Sequence, residues 1–173
     1  FSGGGAVYHD WGNINLTFIE TAPRLPEFVT YLQRTLDFLN SIGLMAKGGE
    51  RLGIYLNGLK ISGSAQCVHK NRVLYHCTLL YDTDLTALHK ALNPEPMVDD
   101  ETLSSVYAVP SVRSEVTNIR SYLPEGTVTD FKEKAFQYFS KSQSVSAFTG
   151  KEIEAVNQLR EGKYIQKEWI YSR

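Results

Sequence analysis

The chain has 173 residues, enough for one domain with a substantial hydrophobic core. Its 18 basic and 19 acidic side chains nearly cancel, so the net charge favours neither a nucleic acid nor an anionic membrane as partner. No apolar run approaches the ~20 residues of a membrane-spanning helix. Cys67 and Cys77 have no metal-type partners nearby in the sequence, which favours free thiols in a reducing compartment. We therefore expect a single-domain, cytoplasmic protein.

Residues 1–10, FSGGGAVYHD, place three consecutive glycines directly before a β-favouring run. Glycine permits positive φ angles and lets a ligand approach the backbone closely. The free N–H groups of such a loop can bind a phosphate. A flexible terminal linker has the same composition, so the glycines alone do not decide between the two interpretations. Their spacing matches neither a P-loop nor a dinucleotide-binding loop.

Two regular elements follow the glycine loop. Residues 13–19 alternate polar and apolar side chains, which predicts a half-buried strand. Apolar side chains recur at intervals of three and four over residues 27–42, which predicts an amphipathic helix. Gly43 is expected to end this helix in the left-handed conformation, and residues 47–50 are expected to form a turn.

A hairpin is the clearest local signal in the middle of the chain. Asn57 and Gly58 separate two short apolar runs, and both tolerate the positive φ angles of a two-residue turn. Lys60 then lies on the second strand, where its ammonium can reach a phosphate or a carboxylate as a point charge. A solvated lysine without function fits the same pattern. Strands are also expected at 65–68 and 72–80.

Helices dominate the second half of the chain. Asp84 is expected to cap a short helix that stops at Asn93. The acidic segment 95–111 has no periodicity and is interpreted as a long loop, and 112–123 is expected to hold a short element.

Thr127 begins a further helix with an apolar side that is expected to be buried. That side consists of Phe131, Ala135, Phe136, Tyr138 and Phe139. Thr149 begins the last helix with a capping box, and Gly162 is expected to end it. Because strands and helices do not alternate, we expect an α+β fold with a mostly antiparallel sheet.

Three motifs, SGGGAVYHD-x-GN, NGLKISGSAQ and HCTLL, occur in this order. With them the chain resembles the lipoate–protein ligase A family of the biotin/lipoate ligase group, and the resemblance continues to Glu168 and Trp169. It implies a mostly antiparallel sheet flanked by helices. It also implies activation of lipoate by ATP to lipoyl-AMP, with Mg²⁺ present. Transfer would then follow to a lysine of a 2-oxoacid dehydrogenase E2 carrier domain or a glycine-cleavage H protein.

The resemblance also assigns roles to individual residues. Lys60 matches the catalytic lysine that bridges the lipoate carboxylate and the α-phosphate of ATP. Residues matching positions that line or support the ATP and lipoate site are Ser2, Gly3, Gly4, Gly5, Ala6, Val7, Tyr8, His9, Asn13, Ser62 and Thr78. A purely structural role for His9 is an equally good interpretation.

The chain departs from the family pattern at two places. The family usually carries Arg-Asn-Asp before the hairpin, and its aspartate helps to hold magnesium; here the run is Arg51-Leu52-Gly53. Glu50 or Asp10 are the candidates to replace that aspartate, and the metal ligands stay unassigned. The chain also starts inside the first motif, so we expect residues 1–173 to be one catalytic domain that lacks its N-terminal part.

Three alternatives remain open at this point. A lipoyl or octanoyl transferase could use a preformed acyl donor such as an acyl-adenylate, or it could act through an acyl-cysteine, which needs a thiolate in the pocket. Related transferases place that cysteine after the first long helix, where residues 44–47 contain none. Biotin ligation is disfavoured because the sequence has no GRGRxGR-type loop. A non-catalytic module that binds an acyl group or a carrier domain is the alternative outside enzymes.

Overall fold

The computed structural model describes residues 5–21, 27–93, 112–141 and 144–170. The strands are β1 (Asn13–Thr21), β2 (Lys47–Gly48), β3 (Ile54–Leu56), β4 (Leu59–Ser62), β5 (Ser64–His69) and β6 (Arg72–Leu80). The helices are α1 (Phe28–Ser41), α2 (Leu85–Leu92), α3 (Val128–Ser140), α4 (Gly150–Leu159) and α5 (Lys167–Ile170). A 3₁₀ turn covers Ile119–Ser121, and a π-helical turn covers Arg160–Tyr164.

The strands form two three-stranded sheets, with the orders β1-β6-β5 and β2-β3-β4. Every strand pair is antiparallel, and β1 pairs with β6 along its whole length, from Asn13 opposite Leu80 to Thr21 opposite Arg72. A single parallel bridge links Lys60 to Val116, in the segment between α2 and α3. The α+β fold with antiparallel pairing is therefore confirmed.

Helix α1 covers one face of the β1-β6-β5 sheet. Leu36, Phe38 and Leu39 are buried in the core, while the Tyr31 ring stacks on Tyr75 of β6 with centroids 5.5 Å apart. The predicted apolar stripe is correct except at Val29, which is 61% exposed although the neighbouring Phe28 packs against the core. Gly43 has a φ of +92°, so the left-handed end of this helix is also confirmed.

Other local predictions agree with the structure. Asn57 and Gly58 have φ angles of 48° and 83°, so the hairpin turn between β3 and β4 is confirmed. Asp84 caps α2 by accepting a hydrogen bond from the Ala87 N–H at 2.9 Å. Thr127 and Thr149 both form the capping boxes expected of α3 and α4. The segment 95–111, interpreted as a loop, lies outside the described residues.

Three predictions need correction. Residues 47–50 are not only a turn, because Lys47 and Gly48 pair with β3 as strand β2. Phe136 is 52% exposed, because it follows the buried Ala135 directly and points about 100° further round the helix. Gly162 does not end α4: the chain continues into the π-helical turn, where the Ile165 N–H donates to the Arg160 carbonyl at 3.1 Å.

Within the described ranges, no helix has both the length and the apolar character needed to cross a membrane.

Candidate functional site

The described part of the glycine loop runs along the surface before β1. Ser2, Gly3 and Gly4 lie outside the described residues, while Gly5, Ala6, Val7 and His9 are exposed and Tyr8 is half-buried. Val7 is 65% exposed, so it is not part of the core. An exposed backbone followed by a firmly paired strand leaves this loop accessible to a ligand.

The end of the loop is anchored to the chain that follows β6. Both oxygens of the Asp10 carboxylate accept backbone N–H bonds at 2.8 Å, one from Gly12 and one from Asp84. The Gly12 carbonyl in turn accepts from the N–H groups of Tyr81 and Asp82, both at 3.1 Å. Asp10 was a candidate metal ligand, but its carboxylate is occupied in holding these two backbone segments together.

Lys60 lies on β4 and is half-buried. This partial burial, and secondly the positive charge of Arg51, lowers the pKa of its ammonium below the ordinary value. Among the described residues, neither Lys60 nor Arg51 forms an ion pair with a carboxylate. Two neighbouring cations without an anionic partner provide a place where an anionic ligand would be stabilised.

Gly53 lies close to the stem of Lys60 and to the ring of Tyr55. A Cβ atom built on Gly53 would lie 3.4 Å from Cε of Lys60 and 3.2 Å from the ring of Tyr55. The resemblance places Gly53 where related ligases usually carry an aspartate, and the lysine stem and the tyrosine ring lie beside this position. The described residues contain no group of three or more His, Cys, Asp or Glu suited to a metal ion.

Ser62 and Thr78 occupy different environments. Ser62 is buried, and its hydroxyl has no hydrogen-bond partner among the described residues. Thr78 is half-buried on β6; its N–H donates to the Gly63 carbonyl at 3.0 Å, and its hydroxyl accepts from the Gly63 N–H at 3.5 Å. Thr78 therefore fixes the loop that follows the strand of Lys60.

A groove of about 560 Å³ lies on the face of the β1-β6-β5 sheet opposite α1. Its lining includes Thr17, Ile19, Cys67, His69, Leu74 and His76. His76, which the sequence reasoning did not single out, lies between Thr17 and Ala65 in the sheet register. The alternation of residues along β6 could have indicated this position. Tyr75, Cys77 and Leu79 are buried on one face, so residues 74, 76 and 78 lie on the other face.

Both cysteines are free thiols, as expected. Cys77 is almost completely buried, and this burial raises the pKa of its thiol to about 11. A thiol with such a pKa is protonated at neutral pH and is a weak nucleophile. Cys67 is half-buried in the wall of the groove.

We expect replacement of Cys67 and Cys77 by serine to leave the acylation of a carrier protein largely intact. The reason is that Cys77 stays protonated and no acyl–thioester step is needed if the acyl group travels as an adenylate. The measurement is the rate of carrier modification by the full-length double variant, followed by intact mass. A loss of activity, together with an acyl–enzyme thioester trapped in the unsubstituted protein, would instead identify a transferase.

Comparison with known proteins supplies the family. Residues 1–140 match the family described as the lipoyl protein ligase A/B catalytic domain. A protein of Mycoplasma pneumoniae named probable lipoate-protein ligase A is 39% identical over 146 residues, which cover 83% of this chain and 42% of that protein. Lipoate-protein ligase LplJ of Bacillus subtilis is 31% identical over 180 residues, covering 99% of this chain and 53% of its own length. The chain thus spans about half the length of these relatives.

Solved structures agree in fold. A crystal structure of lipoate-protein ligase A bound with ATP superposes with a TM-score of 0.75 at 24% identity, over 98% of this chain and 69% of that one. The lipoate protein ligase of a bipartite system from Thermoplasma acidophilum gives a TM-score of 0.74 at 24% identity, over 98% of this chain and 68% of that one. The family match over most of the chain, together with these relatives, shows that the chain belongs to the lipoyl protein ligase A/B catalytic-domain family.

Proposed function

We propose that the protein to which this chain belongs is an ATP-dependent lipoate–protein ligase. It would activate lipoate to lipoyl-AMP and transfer the lipoyl group to a lysine of a carrier domain. The observation that carries the proposal is Lys60, a half-buried ammonium beside Arg51 with no carboxylate partner among the described residues. Relatives named as lipoate-protein ligases over the same residues support this choice.

In the first half-reaction, the lipoate carboxylate attacks the α-phosphate of ATP and pyrophosphate leaves, so two anions must meet. Lys60 would lie between them and offset the negative charge that accumulates as the new bond forms. Arg51 adds a second positive charge near the same point. An anion bound there would raise the pKa of Lys60, which burial and Arg51 have lowered, and would favour the charged ammonium.

In the second half-reaction, the lysine of the carrier attacks the carbonyl of lipoyl-AMP and AMP leaves. The same ammonium would polarise that carbonyl, which explains why one residue serves both steps. The residues of the glycine loop would bind ATP and the acyl chain. These residues are Ser2, Gly3, Gly4, Gly5, Ala6, Val7 and Tyr8. His9, Asn13, Ser62 and Thr78 would support this loop and the neighbouring turn. The anchoring of Asp10 and Gly12 favours such a preorganised loop.

The finer assignments rest on the resemblance and on names of relatives. The carriers we propose are E2 domains of 2-oxoacid dehydrogenases and the glycine-cleavage H protein, in the cytoplasm. The similar bi-partite lipoate protein ligase of Thermoplasma acidophilum was analysed structurally together with its E2 lipoyl domain. Mg²⁺ would enter with the triphosphate rather than on a protein site, because Asp10 is occupied and residue 53 is glycine. No step above depends on the metal.

The deciding experiment measures lipoate-dependent exchange of pyrophosphate into ATP by the full-length protein, followed by modification of a purified carrier domain. We expect both activities. Carrier modification from synthetic lipoyl-AMP without any exchange would favour a transferase that uses a preformed donor. Binding of lipoate or carrier with neither activity would favour a non-catalytic module.

A further inference from the structure

Buried polar groups connect the glycine loop to distant parts of the chain. Asn13, at the start of β1, donates from Nδ2 to the Tyr8 carbonyl at 2.9 Å. The same Nδ2 lies 3.3 Å from Nδ1 of the His9 ring. At the other end of the amide, Oδ1 of Asn13 accepts a hydrogen bond from the hydroxyl of Thr83. Asn13 and Thr83 are both buried, so water does not compete for the bond between them.

Thr83 is itself held by Asn118, which lies 35 positions later in the chain. Oδ1 of Asn118 accepts from the Thr83 N–H at 3.0 Å, and Nδ2 of Asn118 donates to the Thr83 carbonyl at 2.8 Å. One side-chain amide thus satisfies both backbone groups of Thr83, as a neighbouring strand would. This double contact fixes the position from which the Thr83 hydroxyl reaches Asn13.

The segment that carries Asn118 also holds the strand of Lys60. The Lys60 N–H donates to the Glu115 carbonyl at 2.8 Å, and the Thr117 N–H donates to the Lys60 carbonyl at 3.1 Å. Residues 115–118 therefore bond to the backbone of Lys60 at one end and to Thr83 at the other. The lysine and the glycine loop are far apart in sequence, and this short segment joins them.

We propose that Thr83 and Asn118 are positioning residues of the adenylation site, which hold Asn13 so that it keeps the His9 ring in its Nε2–H tautomer. The proposal rests on the function proposed above. Nδ2 of Asn13 carries only donor hydrogens, so Nδ1 of His9 must accept and the ring proton lies on Nε2. The Tyr8 carbonyl can only accept, so it fixes Nδ2 as the end of the amide that faces His9, and the Thr83 hydroxyl holds the other end in place.

The tautomer has a consequence for ligand binding. With its proton on Nε2, the exposed His9 presents a hydrogen-bond donor, and an acceptor oxygen of ATP or lipoate can use it. Thr83→Val keeps the shape of the side chain but removes the hydroxyl, which leaves Oδ1 of Asn13 buried without this donor. Loss of such a bond weakens the organised form of the loop on the order of tenfold.

The first measurement is a long-range ¹H–¹⁵N NMR spectrum of the full-length protein, with His9 assigned from a His9→Gln variant. We expect the Nε2–H pattern in the wild type and in Thr83→Ser, which retains the hydroxyl. In Thr83→Val we expect a mixture of tautomers. Thr86→Val makes the same chemical change at an exposed position on α2 and is expected to behave as wild type.

The second measurement is pyrophosphate exchange with varied ATP. We expect Thr83→Val to raise KM for ATP about tenfold with little change in kcat, and Thr83→Ser to restore KM. A variant that merely lost folded protein would show a lower kcat at unchanged KM.

The outcomes separate this inference from the proposed function. An Nδ1–H ring in wild-type His9 overturns the positioning network, even if Thr83→Val does not fold. An unchanged tautomer and unchanged KM in folded Thr83→Val also overturn it. If the wild type shows no pyrophosphate exchange, the ligase function is refuted. The NMR measurement does not depend on that activity, so the tautomer of His9 in the wild type and in Thr83→Ser still tests whether Asn13 holds the ring as described.

Discussion

Lys60→Ala is expected to lower lipoate-dependent ATP–pyrophosphate exchange by a factor on the order of 10²–10³. Its ammonium is half-buried, so water is a poor substitute for the lost charge. Arg51 remains nearby as a second cation, but it does not lie on β4 and cannot take the position of the Lys60 ammonium. The measurement is the exchange rate at saturating ATP and lipoate in the full-length variant, with its thermal midpoint checked in parallel.

Lys60→Arg is expected not to restore the rate. The guanidinium is wider than an ammonium and cannot occupy the same point between the two anions. Transfer from synthetic lipoyl-AMP should also slow in both variants, because the same charge polarises the acyl carbonyl.

Lys47→Ala is the matched control, since Lys47 is an exposed lysine of the same sheet. Its exchange rate is expected to equal that of the wild type. Near-normal exchange in folded Lys60→Ala would remove the catalytic role and leave Lys60 as an ordinary lysine of a hairpin.

Local signals in the sequence predicted much of the fold. The period of the apolar residues gave α1 almost to its ends, and Asn57-Gly58 gave the hairpin, because both depend on residues only a few positions apart. Exposure was harder to predict. Phe136 and Val29 are apolar residues of amphipathic helices, yet both are exposed, since their burial depends on which neighbour covers them.

The motifs pointed to candidate residues in the glycine loop and at Lys60, and these assignments stay predictions. The contacts that anchor these residues come from Thr83 and Asn118, which the motifs did not indicate. The bond from Thr83 to Asn13 spans 70 positions, and no periodicity or spacing connects residues so distant. The occupied carboxylate of Asp10 was missed for the same reason, because its partner at Asp84 lies 74 positions away.

Gly12→Ala is the second variant with a large expected effect. It is expected to destabilise the fold, because the added Cβ atom would clash with the backbone of a neighbouring segment. A Cβ atom at residue 12 would lie 2.1 Å from the carbonyl oxygen of Asp82 and 2.6 Å from the backbone nitrogen of Thr83. Both atoms belong to the main chain, so neither can rotate away as a flexible side chain would. The loop and the end of β6 would have to separate, which breaks the two bonds that the Gly12 carbonyl accepts from Tyr81 and Asp82.

We expect Gly12→Ala to lower the free energy of unfolding by about 3 kcal/mol, at the upper end of what overpacking costs. Gly150→Ala is the control, because nothing lies within 4 Å of a Cβ built at that position. It should change the free energy by less than about 0.5 kcal/mol. Thermal and urea unfolding of the two variants gives the comparison. Equal stability would mean that the loop and the end of β6 are not packed against each other, and the anchoring of the glycine loop by Asp10 and Thr83 would then also be wrong.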